Sequence, residues 1–191
     1  MNVKSYLQNH WKISRGGLAI VVGALAIGVY LLEGGYNVAA DEPHSALVFR
    51  LVEMTRVNSV SLRARDIRTP RNFGSDAQVK AGASEYAEMC AECHLAPGME
   101  PTEISQGLYP QAPDLMRDDT LSASEQFWVV KHGIKMSGMP AWGKTHSDGI
   151  LWSIVAFLQK LPTLSPEQYR DMTKNAAEDH NKMNDMPGMS R

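Results

Sequence analysis

The stretch Tyr86-Ala-Glu-Met-Cys90-Ala-Glu-Cys93-His94, running on into Leu95-Ala-Pro97-Gly98, holds both cysteines of a 191-residue chain. Two thiols three positions apart, with a histidine touching the second, can serve four chemistries. A structural zinc site wants four ligands, usually from two such knuckles, and the chain has no second Cys pair to close it. A thioredoxin-like dithiol sits after a strand in a βαβ pattern, whereas the residues before Cys90 read as helix. A plain disulfide across two residues is compatible with an oxidising compartment but leaves His94 without a role. Covalent attachment of a c-type haem through C-x-x-C-H uses all three residues: Cys90 and Cys93 bond the porphyrin's vinyl carbons and His94 ligates iron.

The compartment follows from the first forty residues. From Gly16 to Leu32 the run GGLAIVVGALAIGVYLL carries no charge and approaches the roughly 20 residues of a bilayer-spanning helix. Lys4, Lys12 and Arg15 precede it, while Glu33, Asp41 and Glu42 follow. The positive-inside rule then keeps residues 1–15 in the cytoplasm, uses 16–40 as an anchor and exports the rest. The competing reading is a cleaved signal peptide processed near Val38-Ala39-Ala40; its apolar core is usually about 7–15 residues, shorter than this run. Both readings deliver the Cys pair to an oxidising space. A net charge of −2 gives no reason to expect a nucleic-acid partner.

Residues 41–75 differ in composition. Ala46, Leu47, Phe49, Leu51, Val52 and Met54 recur at loosely helical spacing, and Arg50, Arg56, Arg63, Arg65, Arg68 and Arg71 face only Glu53 and Asp66 in charge. This predicts a basic amphipathic linker helix, able to lie on anionic headgroups, dock on a partner, or simply face water. Residues 76–162 predict a folded domain with a net charge of −5, from six basic and eleven acidic residues. Three helices are legible in it. The first spans about 76–90, with Val79, Ala83, Tyr86, Ala87 and Cys90 on one stripe. The second opens on the capping box Ser122-Ala-Ser-Glu125 and stops at Gly133. The third starts near Ser147 and carries Ile150, Leu151, Ile154, Val155, Leu158 and Leu161 to Pro162. No strand pattern competes, so the fold class is all-α. A domain of this size buries a thin core, which a covalently held porphyrin would fill.

The second informative stretch is Lys131-His-Gly-Ile-Lys-Met136-Ser-Gly-Met139-Pro-Ala-Trp-Gly143. A thioether is a soft neutral ligand, and His plus Met ligation raises the reduction potential. C-x-x-C-H followed some tens of residues later by a Met-Pro loop in an all-α module resembles a class I (mitochondrial-type) cytochrome c, over about Asp76 to Pro162, under half the chain. The resemblance implies a small cytochrome c domain around one covalent haem c, preceded here by the anchor and linker helix. It implies Cys90 and Cys93 as thioether attachments, His94 as proximal ligand, and Met139 rather than Met136 as distal ligand, because proline follows it. It gives the Pro97 carbonyl the task of accepting the imidazole N–H. It also implies that Gly82 and Tyr86 mark the crossing of the first and last helices opposite Trp152 or its neighbours, and that Pro113-Asp-Leu115 packs over the haem.

His132 and His146 flank the Met loop and read as surface residues, while His10 and His44 are uninformative. The stretch His180-Asn-Lys-Met183-Asn-Asp-Met186-Pro-Gly-Met189, within the polar tail 163–191, places a soft sulfur every third residue. Copper(I) would accept such thioethers, and a solvated tail is the plainer reading. With both axial positions filled, iron can only change oxidation state, so the expectation is an electron carrier and not an enzyme. It would be single-pass in a bacterial inner membrane with a periplasmic haem domain, joining a membrane donor to a terminal oxidase or reductase. The rivals are a haem enzyme or gas binder with labile Met139, and a copper-handling module using the tail.

Overall fold

A computed structural model describes residues 3–117 and 120–176, with side chains from Gly16 onward. The chain divides into two units, Met1–Glu42 and Pro43–Arg191. In the first, helix α1 runs Val3–Leu32. Among the described residues no helix is long and apolar enough to cross a membrane. From Gly16, where described side chains begin, the uncharged part of α1 is 17 residues long, three short of the roughly 20 a span needs. Its Leu18, Ile20, Val21, Val22, Leu25 and Ile27 are all exposed.

The second unit is helical, and no strand occurs among its described residues. Its helices are α2 (Ala46–Ala64), α3 (Asp76–Met89), α4 (Ala91–His94), α5 (Glu103–Gly107), α6 (Ala123–His132), α7 (Asp148–Lys160) and α8 (Pro166–Thr173). The three helices legible in the sequence are α3, α6 and α7. Helix α7 is the axis of the domain: every residue from Ile150 to Leu158 is buried, as expected of a helix apolar on all sides. Helices α3 and α6 pack against it. The α6–α7 seam is fixed by Phe127 stacked on Trp152, ring centroids 4.2 Å apart, and by an ion pair from Lys131 Nζ to Asp148 Oδ1 at 2.7 Å. Phe73 meets the same Trp152 edge-on.

The α3–α7 crossing is closer. A Cβ built on Gly82 would overlap the Ser153 carbonyl and reach Phe157 Cβ at 2.9 Å, so only glycine lets the two backbones approach this far. The partners opposite Gly82 are Ser153 and Phe157, and Trp152 instead serves the α6 side. Tyr86, one turn on, lies against Phe157 at 5.3 Å.

Helix α2 is docked rather than free. Val60 and Ala64 are buried, Ser124 Oγ donates to the Ile67 carbonyl at 2.9 Å, and α2 packs on α6. Helix α8 lies within the 163–191 stretch whose sequence reads as a polar tail, yet it packs on α3. Tyr169 is buried there against Phe157, so one aromatic at the right place recruits an otherwise polar segment. The Met-rich stretch His180–Met189 lies outside the described residues.

The α6 capping box is complete: Ser122 Oγ accepts from Glu125 N–H, and the Glu125 carboxylate accepts from Ser122 N–H at 3.0 Å. The hydrogen bond from the Ser122 hydroxyl is the main reason the Glu125 carboxyl lies below its usual range. Its folded value is depressed, so the contribution is present above the ordinary glutamate range near pH 4.5 and is lost as pH falls through the folded value. Ser122→Ala is expected to cost about 1 kcal/mol in denaturant unfolding near neutral pH and to lessen that acid dependence.

Candidate haem site

The C-x-x-C-H segment is itself a turn of helix. Cys90 ends α3 and starts α4, and its carbonyl accepts from Cys93 N–H at 3.1 Å and His94 N–H at 2.9 Å. This hydrogen-bonded turn presents two thiols and an imidazole from five consecutive residues. The turn stops at Leu95, whose φ of +61° and ψ of −178° lie in a region normally left to glycine, at a cost of roughly 1–3 kcal/mol. Tyr86 holds it there: its buried hydroxyl donates to the Leu95 carbonyl at 2.6 Å. Burial pushes the Tyr86 hydroxyl well above its ordinary pKa, so it remains a donor at every physiological pH. The sequence showed Tyr86 as core and gave no sign of this bond, because a backbone acceptor carries no side-chain signature.

His94 Nδ1 lies 3.0 Å from the Pro113 carbonyl. A carbonyl only accepts, so Nδ1 carries the proton and the lone pair stays on Nε2, the tautomer a metal-binding imidazole needs. The acceptor is therefore Pro113, not the Pro97 expected from the resemblance. The chain leaves α4 through Leu95 into a turn closed by Met99 N–H on the Ala96 carbonyl, and there Gly98 approaches Pro166 at the start of α8. Pro113 returns to the imidazole from nineteen residues away. Burial lowers the His94 pKa and the bond to Pro113 opposes that shift.

No disulfide joins Cys90 and Cys93. Burial, then the charge of Glu85, then Cys93 push the Cys90 thiol up to about 12. Burial and Glu92 also raise Cys93. Negative sulfur is disfavoured here, which does not suit a nucleophilic dithiol. A thioether sulfur is neutral and suits both positions. Among the described residues no group of three or more His, Cys, Asp and Glu could hold a metal ion. A cavity of about 310 Å³ opens beside Cys93 and His94, walled by Ser105 and Gln106 of α5 and by Gln111 and Asp114. The donor set thus fits a covalently held haem.

The Met loop leaves α6 at Gly133, with φ +64°. A Cβ there would come within 2.7 Å of the Met139 and Pro140 carbonyls. Ile134 N–H donates to the Met139 carbonyl at 3.2 Å, and Ser137 Oγ both accepts from Met139 N–H at 3.2 Å and donates to the Ile134 carbonyl at 2.8 Å. The loop is thus cinched around Met139, which is half-buried against the core. Met136 is 98% exposed. His132 is exposed beside Trp128, and His146 Nδ1 pairs with the Thr145 hydroxyl. The segment between α5 and α6 touches both halves of the site: Leu108 is the residue a Cβ on Gly138 would strike, and Pro113 holds His94. Gly133→Ala is expected to cost about 2 kcal/mol or more from the left-handed backbone and the clash. In the reduced, haem-loaded protein the loosened loop should admit carbon monoxide faster, as stopped-flow mixing would read.

The chain matches no curated protein and no solved structure. Residues 77–158 match the family model described as cytochrome c oxidase, cbb3-type, subunit III, so this part of the chain is a class I c-type cytochrome domain, a monohaem electron-transfer module that binds haem c covalently.

Proposed function

We propose that the chain is a membrane-tethered cytochrome c, single-pass in a bacterial inner membrane with its haem domain in the periplasm. It passes single electrons between a membrane donor and a terminal oxidase or reductase, as a subunit of that complex. Haem c supplies a one-electron couple at iron. Cys90 and Cys93 would hold the porphyrin, and His94 Nε2 and the Met139 thioether would ligate its iron. Each ligand is pre-set by backbone, Pro113 for the imidazole and Ile134 with Ser137 for the thioether. With both ligands held this way, rearrangement between oxidation states would be small and no coordination position would be left for a substrate, which favours a carrier over a gas-binding enzyme.

The Nδ1–H bond of His94 to Pro113 carries this reading, because it fixes which imidazole nitrogen faces a metal. Tethering and export are supported by the uncharged run Gly16–Leu32 and the lysines and arginine before it. The partner class is supported by the oxidase-subunit family that residues 77–158 match. The test is purification of the full chain from bacterial membranes in mild detergent. Haem-staining protein that resists a carbonate wash and elutes with an oxidase supports the proposal; haem protein released by the wash and eluting alone contradicts it.

A further inference from the structure

Helix α2 has two apolar faces, and the fold uses one. Val60 and Ala64 are buried on the α6 side. At about 100° per residue, Leu47, Leu51, Met54 and Leu62 line up about 140° around the helix from that face, with the polar Asn58 among them; Val52 lies about 80° further round. The five apolar side chains are 50 to 69% exposed. Several large apolar residues contiguous on one helix face mark an interaction surface, unlike single exposed leucines.

The charges tell what covers it. Arg50 borders the stripe on one side, and Arg63, bonded to Ser59, lies further round on the other, beyond Val52. Residues 46–71 carry six arginines against Glu53 and Asp66. Glu53 is tied to Arg56 and Asp66 to Arg65, while Arg50, Arg68 and Arg71 have no carboxylate partner among the described residues. An apolar stripe edged by guanidinium groups is the layout of a helix lying in a lipid interface, its alkyl groups in the acyl boundary and its cations at headgroup phosphates. Thirteen residues separate Leu32 from Ala46, a reach of at most about 45 Å, so α2 never leaves the neighbourhood of an anchored bilayer surface. The net −5 of residues 76–162 is repelled by an anionic surface that attracts α2.

We propose that α2 lies on an anionic phospholipid surface through Leu47, Leu51, Val52, Met54 and Leu62, with Arg50, Arg63, Arg68 and Arg71 on headgroup phosphates, and so sets the orientation of the haem domain. This rests on the tethered reading above. Because α2 is also docked on α6, the membrane contact passes to the domain core through a packed joint, and the domain is held rather than free to tumble.

The experiment uses the full, haem-loaded chain in vesicles of phosphatidylglycerol and phosphatidylcholine. Both native thiols are consumed by haem, so Leu51→Cys and, as a control on α3, Glu88→Cys each carry a single nitroxide. Carbonate-resistant flotation of the unlabelled protein reads the anchor separately. At Leu51 the ratio of accessibility to oxygen over a water-soluble nickel chelate should exceed that at Glu88 by about threefold or more, and fall on joint Arg50→Glu, Arg68→Glu and Arg71→Glu substitution. Equal ratios at the two sites, with flotation intact, overturn the docking of α2 and leave the anchor standing. A Leu51 label shielded from both reagents means contact with a second copy and also overturns it. Loss of flotation overturns the anchor instead.

Discussion

Met139→Ala is expected to convert the haem-loaded protein from a closed electron carrier into one that binds ligands. Met139 is the methionine turned into the core, and the loop around it is tied by Ile134 and Ser137. Alanine keeps those backbone bonds and removes the side chain beyond Cβ, thioether included, from a half-buried position in a loop, so folding should survive. The weak long-wavelength charge-transfer band of the oxidised protein should vanish, and carbon monoxide should bind the reduced protein at least about tenfold faster. Loss of a soft neutral ligand that favours ferrous iron should lower the reduction potential by more than about 59 mV, the one-electron equivalent of a tenfold shift. Met136→Ala is the control: a side chain 98% exposed should change none of these. A Met139→Ala protein with an unaltered spectrum would remove Met139 from the iron.

Gly82→Val should be the most damaging single change to the scaffold. The α3–α7 contact is made by backbone, Gly82 against the Ser153 carbonyl, and neither helix can yield without moving the Tyr86, Phe157 and Tyr169 packing behind it. Overpacking in a close-packed interior costs about 1–3 kcal/mol, occasionally more, and a branched side chain at this position belongs at the top of that range. About 3 kcal/mol is a large part of a total near 5–15 kcal/mol, and for about 100 residues corresponds to a fall in Tm on the order of 10–20 °C. Thermal unfolding followed in the far ultraviolet reads it. Ala83→Gly, the neighbouring position, should cost less, about 2 kcal/mol from helix propensity plus the lost buried methyl. Equal stability of Gly82→Val and the native protein would mean that the two helices do not cross at this glycine.

What could be read from sequence was what repeats or what has a side chain. Helices α3, α6 and α7 were legible because their apolar stripes, the Ser122–Glu125 box and the stops at Gly133 and Pro162 are local signals. The short α4, α5 and α8 were not. Four to eight residues give no period, and α8 is held by a single buried aromatic, Tyr169. At the site, Cys90, Cys93, His94 and Met139 stood out by residue type and spacing. The contacts that position them did not. The Pro113 carbonyl, the Leu95 carbonyl under Tyr86 and the Met139 carbonyl over Ile134 are backbone atoms, brought in by loop paths that depend on the completed fold. The expectation that Pro97 partners the imidazole came from the resemblance, which offered the proline three residues after His94, whereas the bond observed reaches Pro113 across nineteen residues.

Cys90 and Cys93 are the covalent grip on haem, and exporting the chain in a bacterium competent for c-type maturation, denaturing it and digesting it with trypsin shows whether the grip exists. The peptide Ala81–Arg117 contains both thiols and His94. This peptide is expected to retain the pigment and to be heavier by one haem, with neither cysteine reacting with an alkylating reagent. Pigment lost on denaturation, with both cysteines alkylated, would contradict it.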